Sequence, residues 1–222
     1  MTTSDLAASD PSDAAREQVI DVLKERIISG ELRPGDRLRE RTVSREFNVS
    51  RVPVREAFFI LRNQGLIRTE PRRGAFVTAM TATDIEELFE VRTALEPLVS
   101  RLAALHRDDD DLTVLRADLD AAREAGAAHD FVAGSLANAA FHQDLLRATH
   151  NELLNAVMSP LDLKIQRLFR RTIAGHEHEL FAVHAEMFEV VLAGDADRAS
   201  ALSARHVDAT RARSLAVADD AD

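Results

Sequence analysis

The stretch "NAAFH" sets Asn138 and His142 four residues apart, so on a helix both project from one face. His184 stands among the apolar positions of "ELFAVHAEMFEVVLAG", and His206 lies in "DRASALSARHVDAT". Neutral imidazoles suit Zn²⁺, Ni²⁺ and similar ions. Three imidazoles with one oxygen ligand would leave coordination open for water or a small acid. Spacing alone does not choose between this and a plainer role. A buried histidine is more often a hydrogen-bonded core residue than a ligand.

A second constellation is cationic. In "SRVPVREAFFILRNQGLI", Arg51 and Arg55 fall in the first turns of a short helix, one above the other. Arginine donates two hydrogen bonds to a guanine edge or clamps a phosphate. Phe58, Phe59 and Leu61 are expected to turn toward a core. Arg41 opens the preceding helix, and Arg72 and Arg73 occupy the tip of a Pro-Arg-Arg-Gly turn, within reach of phosphate or the minor groove. The competing reading is a solvated basic face.

The balance of charge favours the nucleic-acid reading. The 222 residues carry a net charge of −10, yet residues 14–80 hold 14 Lys+Arg against 9 Asp+Glu. Residues 81–222 hold 14 against 26, and all eight histidines lie between His106 and His206. A basic front and an acidic back imply two jobs. Cysteine is absent, which excludes disulfides and thiolate metal sites and makes the cytoplasm the simplest address. No apolar run approaches the ~20 residues of a membrane span. The opening residues 1–13 have neither the basic start nor the apolar core of a secretory signal and read as a disordered acidic tail. Trp and Tyr are also absent, which argues against a stacking platform for single strands.

These residues need elements to hold them. Residues 15–29 repeat apolar positions at helical spacing (Val19, Ile20, Leu23, Ile27) and stop at Gly30. A Pro-Gly turn in "ELRPGDRL" lets the chain double back. "RERTVSREF" is a second short helix, and Ser50 is placed to cap the third, "RVPVREAFFILRNQG". Pro53 is tolerable in its first turn. "LIRTEPRRGAFVTA" gives two short β segments. Three helices and a β-hairpin wing over 14–80 make a winged helix-turn-helix. From Thr83 onward six helices are expected near 83–105, 109–126, 129–148, 150–174, 177–193 and 195–216, joined by connections short enough for an antiparallel bundle. The domain limits are then 1–13, 14–80, 81–216 and an acidic tail at 217–222, and the fold class is mainly α.

Residues 16–78 resemble the GntR family of bacterial transcriptional regulators, through "GELRPGDRLRE", "NVSRVPVREA" and "NQGLI…RRGAFV". The resemblance implies that Arg41, Arg51 and Arg55 match operator-contacting arginines and that Arg73–Gly74 matches the wing tip. "RTVSREF" departs from it, with Val43 and Ser44 where Leu-Ala is usual; the sizes are close enough for packing to survive. The second unit resembles the FCD domain, the helical effector-binding domain of the FadR-like branch, in "LFEVRTALEPLVSRLAA", "FHQDLLRATHNELL" and "VHAEMFEVVLAGDADRASALSARH". Six helices suggest its smaller, VanR-like form.

That resemblance implies one divalent metal, Zn or Ni, held by Asn138, His142, His184 and His206. The family's usual aspartate is here Asn138, so the site would hold an ion less tightly and keep one more unit of positive charge, which favours an anionic effector. Arg92 matches an arginine that faces the cavity, where it could pair with an effector carboxylate; a helical salt bridge with Glu96 is the alternative. The implied whole is a cytoplasmic homodimeric repressor that binds a palindromic duplex operator and answers to a small carboxylate. A metal-free regulator with an organic or acyl effector, a metal sensor without organic ligand, and a metal-dependent hydrolase are the alternatives. No general base stands beside the candidate ligands, so no catalytic residue is assigned. His150, His176 and His178 read as surface residues.

Overall fold

A computed structural model describes residues 11–172 and 176–219. The chain divides into two compact units that meet in sequence at Ala79 and Met80. The predicted tail over residues 1–10 and the end of the acidic tail, 220–222, lie outside the described residues, as do residues 173–175 at the end of the fourth predicted bundle helix. No helix among the described residues is long and apolar enough to cross a membrane.

The first unit is three helices and a small sheet. α1 (Pro11–Ser29) buries Val19, Ile20, Leu23 and Ile27, the stripe read from the sequence. It starts earlier than that stripe indicates and takes in Pro11–Asp13, assigned above to the tail. Proline at a first helical position gives up no needed hydrogen bond, and Asp13 pairs with Arg16 at 2.8 Å. α3 (Arg51–Asn63) packs on α1, and α2 (Glu40–Glu46) packs on α3; Val43, Val54, Ala57, Phe58 and Leu61 are their buried residues. Between them the chain turns at Asn48, whose φ is 53°, and the Ser44 hydroxyl closes the turn by donating to the Val49 carbonyl at 2.8 Å.

Two local expectations are corrected here. Ser50 sits at the N-cap of α3 with extended backbone, but its side chain accepts no capping hydrogen bond. Phe59 is 56% exposed rather than in the core; only Phe58 and Leu61 face inward. Position 59 lies 100° further round than 58 and falls off the stripe formed by Val54, Ala57, Phe58 and Leu61.

The sheet has three strands, not the two of a hairpin. β1 (Arg37–Leu38), β2 (Ile67–Glu70) and β3 (Gly74–Val77) lie in the order β1-β3-β2, all antiparallel. Arg37 pairs with Phe76, and Ile67 with Val77. The extra strand follows from the Pro-Gly turn. Gly35, at φ 82°, adopts a left-handed conformation that L side chains resist. Its N–H donates to the Val77 carbonyl at 3.0 Å, and the Val77 N–H returns to Asp36 at 2.9 Å. The returning chain is thereby laid against the free edge of β3.

The second unit is a bundle of α4 (Ala82–His106), α5 (Asp109–Ala128), α6 (Phe131–Arg147), α7 (Glu152–Thr172), α8 (Glu177–Ala193) and α9 (Ala196–Leu215). Capping fixes the limits. Thr81 with Asp84, and Asp108 with Asp111, form reciprocal capping boxes at the starts of α4 and α5. Asp130 and Asp195 cap α6 and α9. His129, at φ 54°, ends α5, so α6 begins two residues later than predicted. α4 packs mainly on α9 and α5 on α6. Phe141, Phe188, Leu115, Leu145 and Val191 centre one core; Phe89, Ile85, Leu168 and Phe169 centre another. Burying each such side chain contributes about 1.5–3 kcal/mol.

Asp219, within the predicted acidic tail, is anchored to the bundle. Asp219 accepts from the Met80 N–H at 2.9 Å and from Arg171 at 2.8 Å, and Arg167 lies at 3.7 Å. A parallel bridge pairs it with Thr81. The two ends of this unit are thus tied together.

Candidate nucleic-acid interface and metal centre

In the first unit a groove of about 630 Å³ runs between α3 and the wing. Six arginines line it: Arg37, Arg39, Arg55, Arg62, Arg72 and Arg73. Of the residues predicted from sequence, it gathers Arg55, Arg72, Arg73 and Gly74. Arg41 and Arg51 are exposed near the starts of α2 and α3 but do not line it. Arg37, Arg39 and Arg62 were missed. Arg62 carries a signal that could have found it, since 51, 55 and 62 fall on one helical stripe. Arg37 lies in the unexpected strand β1, and Arg39 follows it directly.

The arginines are held in place without being neutralised. Arg55 Nε donates to Glu40 at 2.9 Å, and Arg73 pairs with Glu70. Those are two acids against six cations in the groove. The exposed Phe59 ring lies in the same groove under the Arg62 guanidinium, 5.1 Å from the ring centroid. An apolar ring between cations is a surface that can meet a thymine methyl while its neighbours hold phosphate. Gly74, at φ 103°, lets the wing turn tightly behind Arg72 and Arg73.

In the second unit α6, α8 and α9 bring His142, His184 and His206 together. One ligand nitrogen from each lies within 4.8 Å of the others. The 142–184 ring centroids are 4.8 Å apart and nearly perpendicular, and the 184–206 pair is at 5.0 Å. Phe141 stacks on His184 at 4.9 Å, and Phe169 lies parallel to His142 at 5.8 Å. All three Nε2 atoms are buried without a hydrogen-bond partner among the described residues. A buried orphan of this kind costs about 1–3 kcal/mol.

The trio is held in its neutral, ligand-ready form. Burial pushes His142 and His184 well below the ordinary histidine value, helped by the neighbouring imidazoles and, for His142, by Arg92. Burial, His142, Arg92 and Arg213 take His206 down to about 3, with Glu96 opposing. Asn138, one turn before His142, is buried, and its Nδ2 also lacks a partner. Turning that amide about its axis presents Oδ1 in the same place. Three convergent imidazoles with nothing to bond, joined by an amide one turn away, fit a divalent ion.

Arg92 is fully buried on α4. Its Nε donates to Glu96 Oε1 at 2.5 Å and its Nη2 to Oε2 at 3.3 Å, the i,i+4 pair named above as the alternative. The guanidinium lies over Phe89 and Phe169, 4.6 and 5.0 Å from their centroids. Its Nη1 has no hydrogen-bond partner. Two cavities adjoin the trio. A smaller one, about 40 Å³, is lined by His142, Glu96, Ser100, Asp162 and Ser203. A larger one, about 130 Å³, reaches Asn138 and His184 between α5, α6 and α8. Arg92 lines neither of them. Asp108, Asp111 and His150 form a second, exposed cluster, but there Asp111 serves the α5 cap and bonds His150 at 2.7 Å. His178 is exposed, and His176, at the start of α8, lies 3.5 Å from Glu179.

Residues 15–77 match the bacterial regulatory proteins of the gntR family, and residues 87–209 match the FCD domain. The chain belongs to the GntR family of transcriptional regulators. It is 30% identical to the HTH-type transcriptional regulator YdhC of Bacillus subtilis over 178 residues, 78% of this chain and 79% of that one. The gluconate operon transcriptional repressor of the same organism is 34% identical over 142 residues, 63% of this chain and 57% of its own. A crystal structure of a GntR transcriptional regulator from Rhodococcus sp. RHA1 superposes with a TM-score of 0.79 at 28% identity, covering 93% of this chain and all of the other. The GntR-family chain is therefore a DNA-binding transcriptional regulator with an FCD effector domain, and not an enzyme.

Proposed function

We propose that this regulator acts in the cytoplasm as a homodimeric repressor on a palindromic operator, and that a small carboxylate bound at or beside a Zn or Ni ion in the FCD domain controls it. The observation that carries the effector half is the convergence of three buried, unpartnered imidazole nitrogens on His142, His184 and His206. Asn138 supplies the fourth ligand. The ion supplies positive charge and open coordination positions for an acid oxygen. With an amide in place of a carboxylate, the protein leaves that charge for the effector to balance. Arg92, paired with Glu96 and lining neither cavity, would have to turn its unpartnered Nη1 toward the effector to act as the orienting cation.

The DNA-facing set is Arg41, Arg51, Arg55, Arg72, Arg73 and Gly74, with Arg37, Arg39 and Arg62 added from the groove. The repressing sign is supported by the relative named as the gluconate operon repressor. Two subunits on one two-fold axis match a palindrome half-site by half-site. The acid shifts DNA affinity to the extent that it binds the DNA-competent and incompetent states unequally.

Elemental analysis of untagged protein, prepared without chelator or nickel resin, tests the metal. Wild type is expected to hold about one Zn or Ni per chain, and His184→Ala much less, as loss of one of three imidazoles requires. Full metal in the variant sinks this ligand set. Absence of metal in both favours the metal-free regulator, with an organic effector in the same histidine-lined pocket.

A further inference from the structure

α3 turns Pro53, Val54, Ala57, Phe58 and Leu61 toward the core. At about 100° per residue, Val52 stands opposite Leu61, and Phe59 falls within about 20° of Val52. The crest of the outward face is therefore apolar. Val52 and Phe59 are each 56% exposed, and among the described residues of the first unit they are the exposed large hydrophobic side chains. A lone exposed valine is ordinary. A pair on one line of a helix, with the exposed Arg51, Arg55 and Arg62 ranged along one flank of that line, is a surface with a preference.

The flanks narrow what the crest can meet. Glu56, exposed on the other side, lies 3.8 Å from Arg16. A row of phosphates would suit the arginines and repel Glu56. Base edges suit both, since arginine donates to guanine and a carboxylate accepts from cytosine. The side chains of Val52 and Phe59 form no hydrogen bonds, so a base edge must offer them an apolar group. In the major groove that group is the thymine 5-methyl.

We propose that Val52 and Phe59 are specificity-determining residues, each receiving the 5-methyl group of a thymine. Seven residues of α3 rise about 10 Å, and successive bases of a strand stand about 3.4 Å apart. The operator therefore carries two thymines, on either strand, about two to three base pairs apart. The inference rests on α3 facing the operator, and it adds which bases that face selects without a hydrogen bond.

Deoxyuridine pairs as thymidine does and lacks only the 5-methyl group, so it isolates the contact. The full-length protein selects a duplex from a random pool, and each thymidine of that duplex is then replaced singly. Gel shifts on wild type are expected to show a pair of positions, about two to three base pairs apart, at which deoxyuridine weakens binding about three- to fivefold, the effect of one buried methyl. Val52→Ala should abolish the penalty at one of them and Phe59→Ala at the other, each leaving the penalty at the remaining position. Both side chains already meet water, so Tm should not change in either variant. Loss of the penalty at one position alone distinguishes a base contact from a change in the helix.

The proposal is overturned if no deoxyuridine weakens wild type, or if both variants keep the wild-type penalties. Arg51→Ala and Arg55→Ala on the same duplex separate this failure from failure of the reading beneath it. Weaker binding by either arginine variant, without any deoxyuridine penalty in wild type, sinks the methyl contacts and leaves α3 at the operator. Unchanged binding by both removes α3 from the DNA, and the proposal with it.

Discussion

At the scale of single residues, the second unit keeps several ionisable groups where water cannot stabilise their charge. Asp162, on the smaller cavity, is pushed up to about 6 by burial, with Glu96 adding to the shift and Arg147 opposing it. The folded state thus favours the protonated form more than the unfolded chain does. Its contribution to stability is fully present below the ordinary carboxylate value and is lost as pH rises through about 6. Asp162→Asn should match wild type near about pH 4 and exceed it by about 1 kcal/mol above about pH 7, a figure discounted for the partial exposure of the group. Urea midpoints across that range measure the difference. A variant that is less stable at neutral pH would mean that the carboxylate is satisfied by a partner in the smaller cavity. The same scale explains two sequence expectations that failed. Phe59 was grouped with Phe58 by composition, although adjacent helical positions diverge, and Ser50 was assigned a cap by residue type, although its side chain accepts no hydrogen bond.

At the scale of elements, α4 shows a pattern that its packing within one chain uses only in part. Val91, Leu98 and Leu105 are 39, 40 and 51% exposed and recur every seven residues. Leu95 and Leu102, half-buried, fall between them. Apolar positions alternating at four and three are the seam of a helix pair. Placing the subunit contact of the proposed dimer on this seam leads to a test. Leu98→Glu is expected to convert a dimer to a monomer by light scattering while the bundle stays folded, because the side chain already meets water. A dimer that survives the change places its interface elsewhere.

The elements themselves were largely legible in the sequence. Bundle helices fell within about two residues of prediction, and the caps at Thr81, Asp108, Asp130 and Asp195 set four of their starts. β1 was not legible, since two residues cannot show an alternation; only the Gly35 turn brings them to β3. Asp219 falls in the stretch read as an acidic tail by composition, yet it is bonded to Met80 and Arg171, partners far away in sequence. The same distance hides the histidine trio. Separations of 42 and 22 residues carry no local periodicity; residue type alone set the three beside one another as candidates, and resemblance to the FCD domain implied one ligand set.

At the scale of the whole molecule, charge is divided by task. The DNA-binding unit carries a surplus of cations inside a chain of net charge −10, so affinity for DNA must come from a local field working against the rest of the protein. A local field of this kind is carried by phosphate contacts, and each contact releases condensed counterions. Binding to duplexes selected from a random pool should therefore weaken steeply with salt. Arg51 and Arg55 can be told apart by the same titration. Arg55 is already bonded to Glu40 at the groove, while Arg51 is exposed at the first turn of α3. If Arg51 holds phosphate, Arg51→Ala lowers affinity on every sequence and reduces the salt slope by about 1; if it reads a guanine, it costs about 1–3 kcal/mol on the selected sequence alone and leaves the slope nearly unchanged. Gel shifts at several salt concentrations distinguish these outcomes. Unchanged affinity on all sequences would remove α3 from the DNA-facing surface, and the groove arginines between β1 and the wing would then have to hold the operator by themselves.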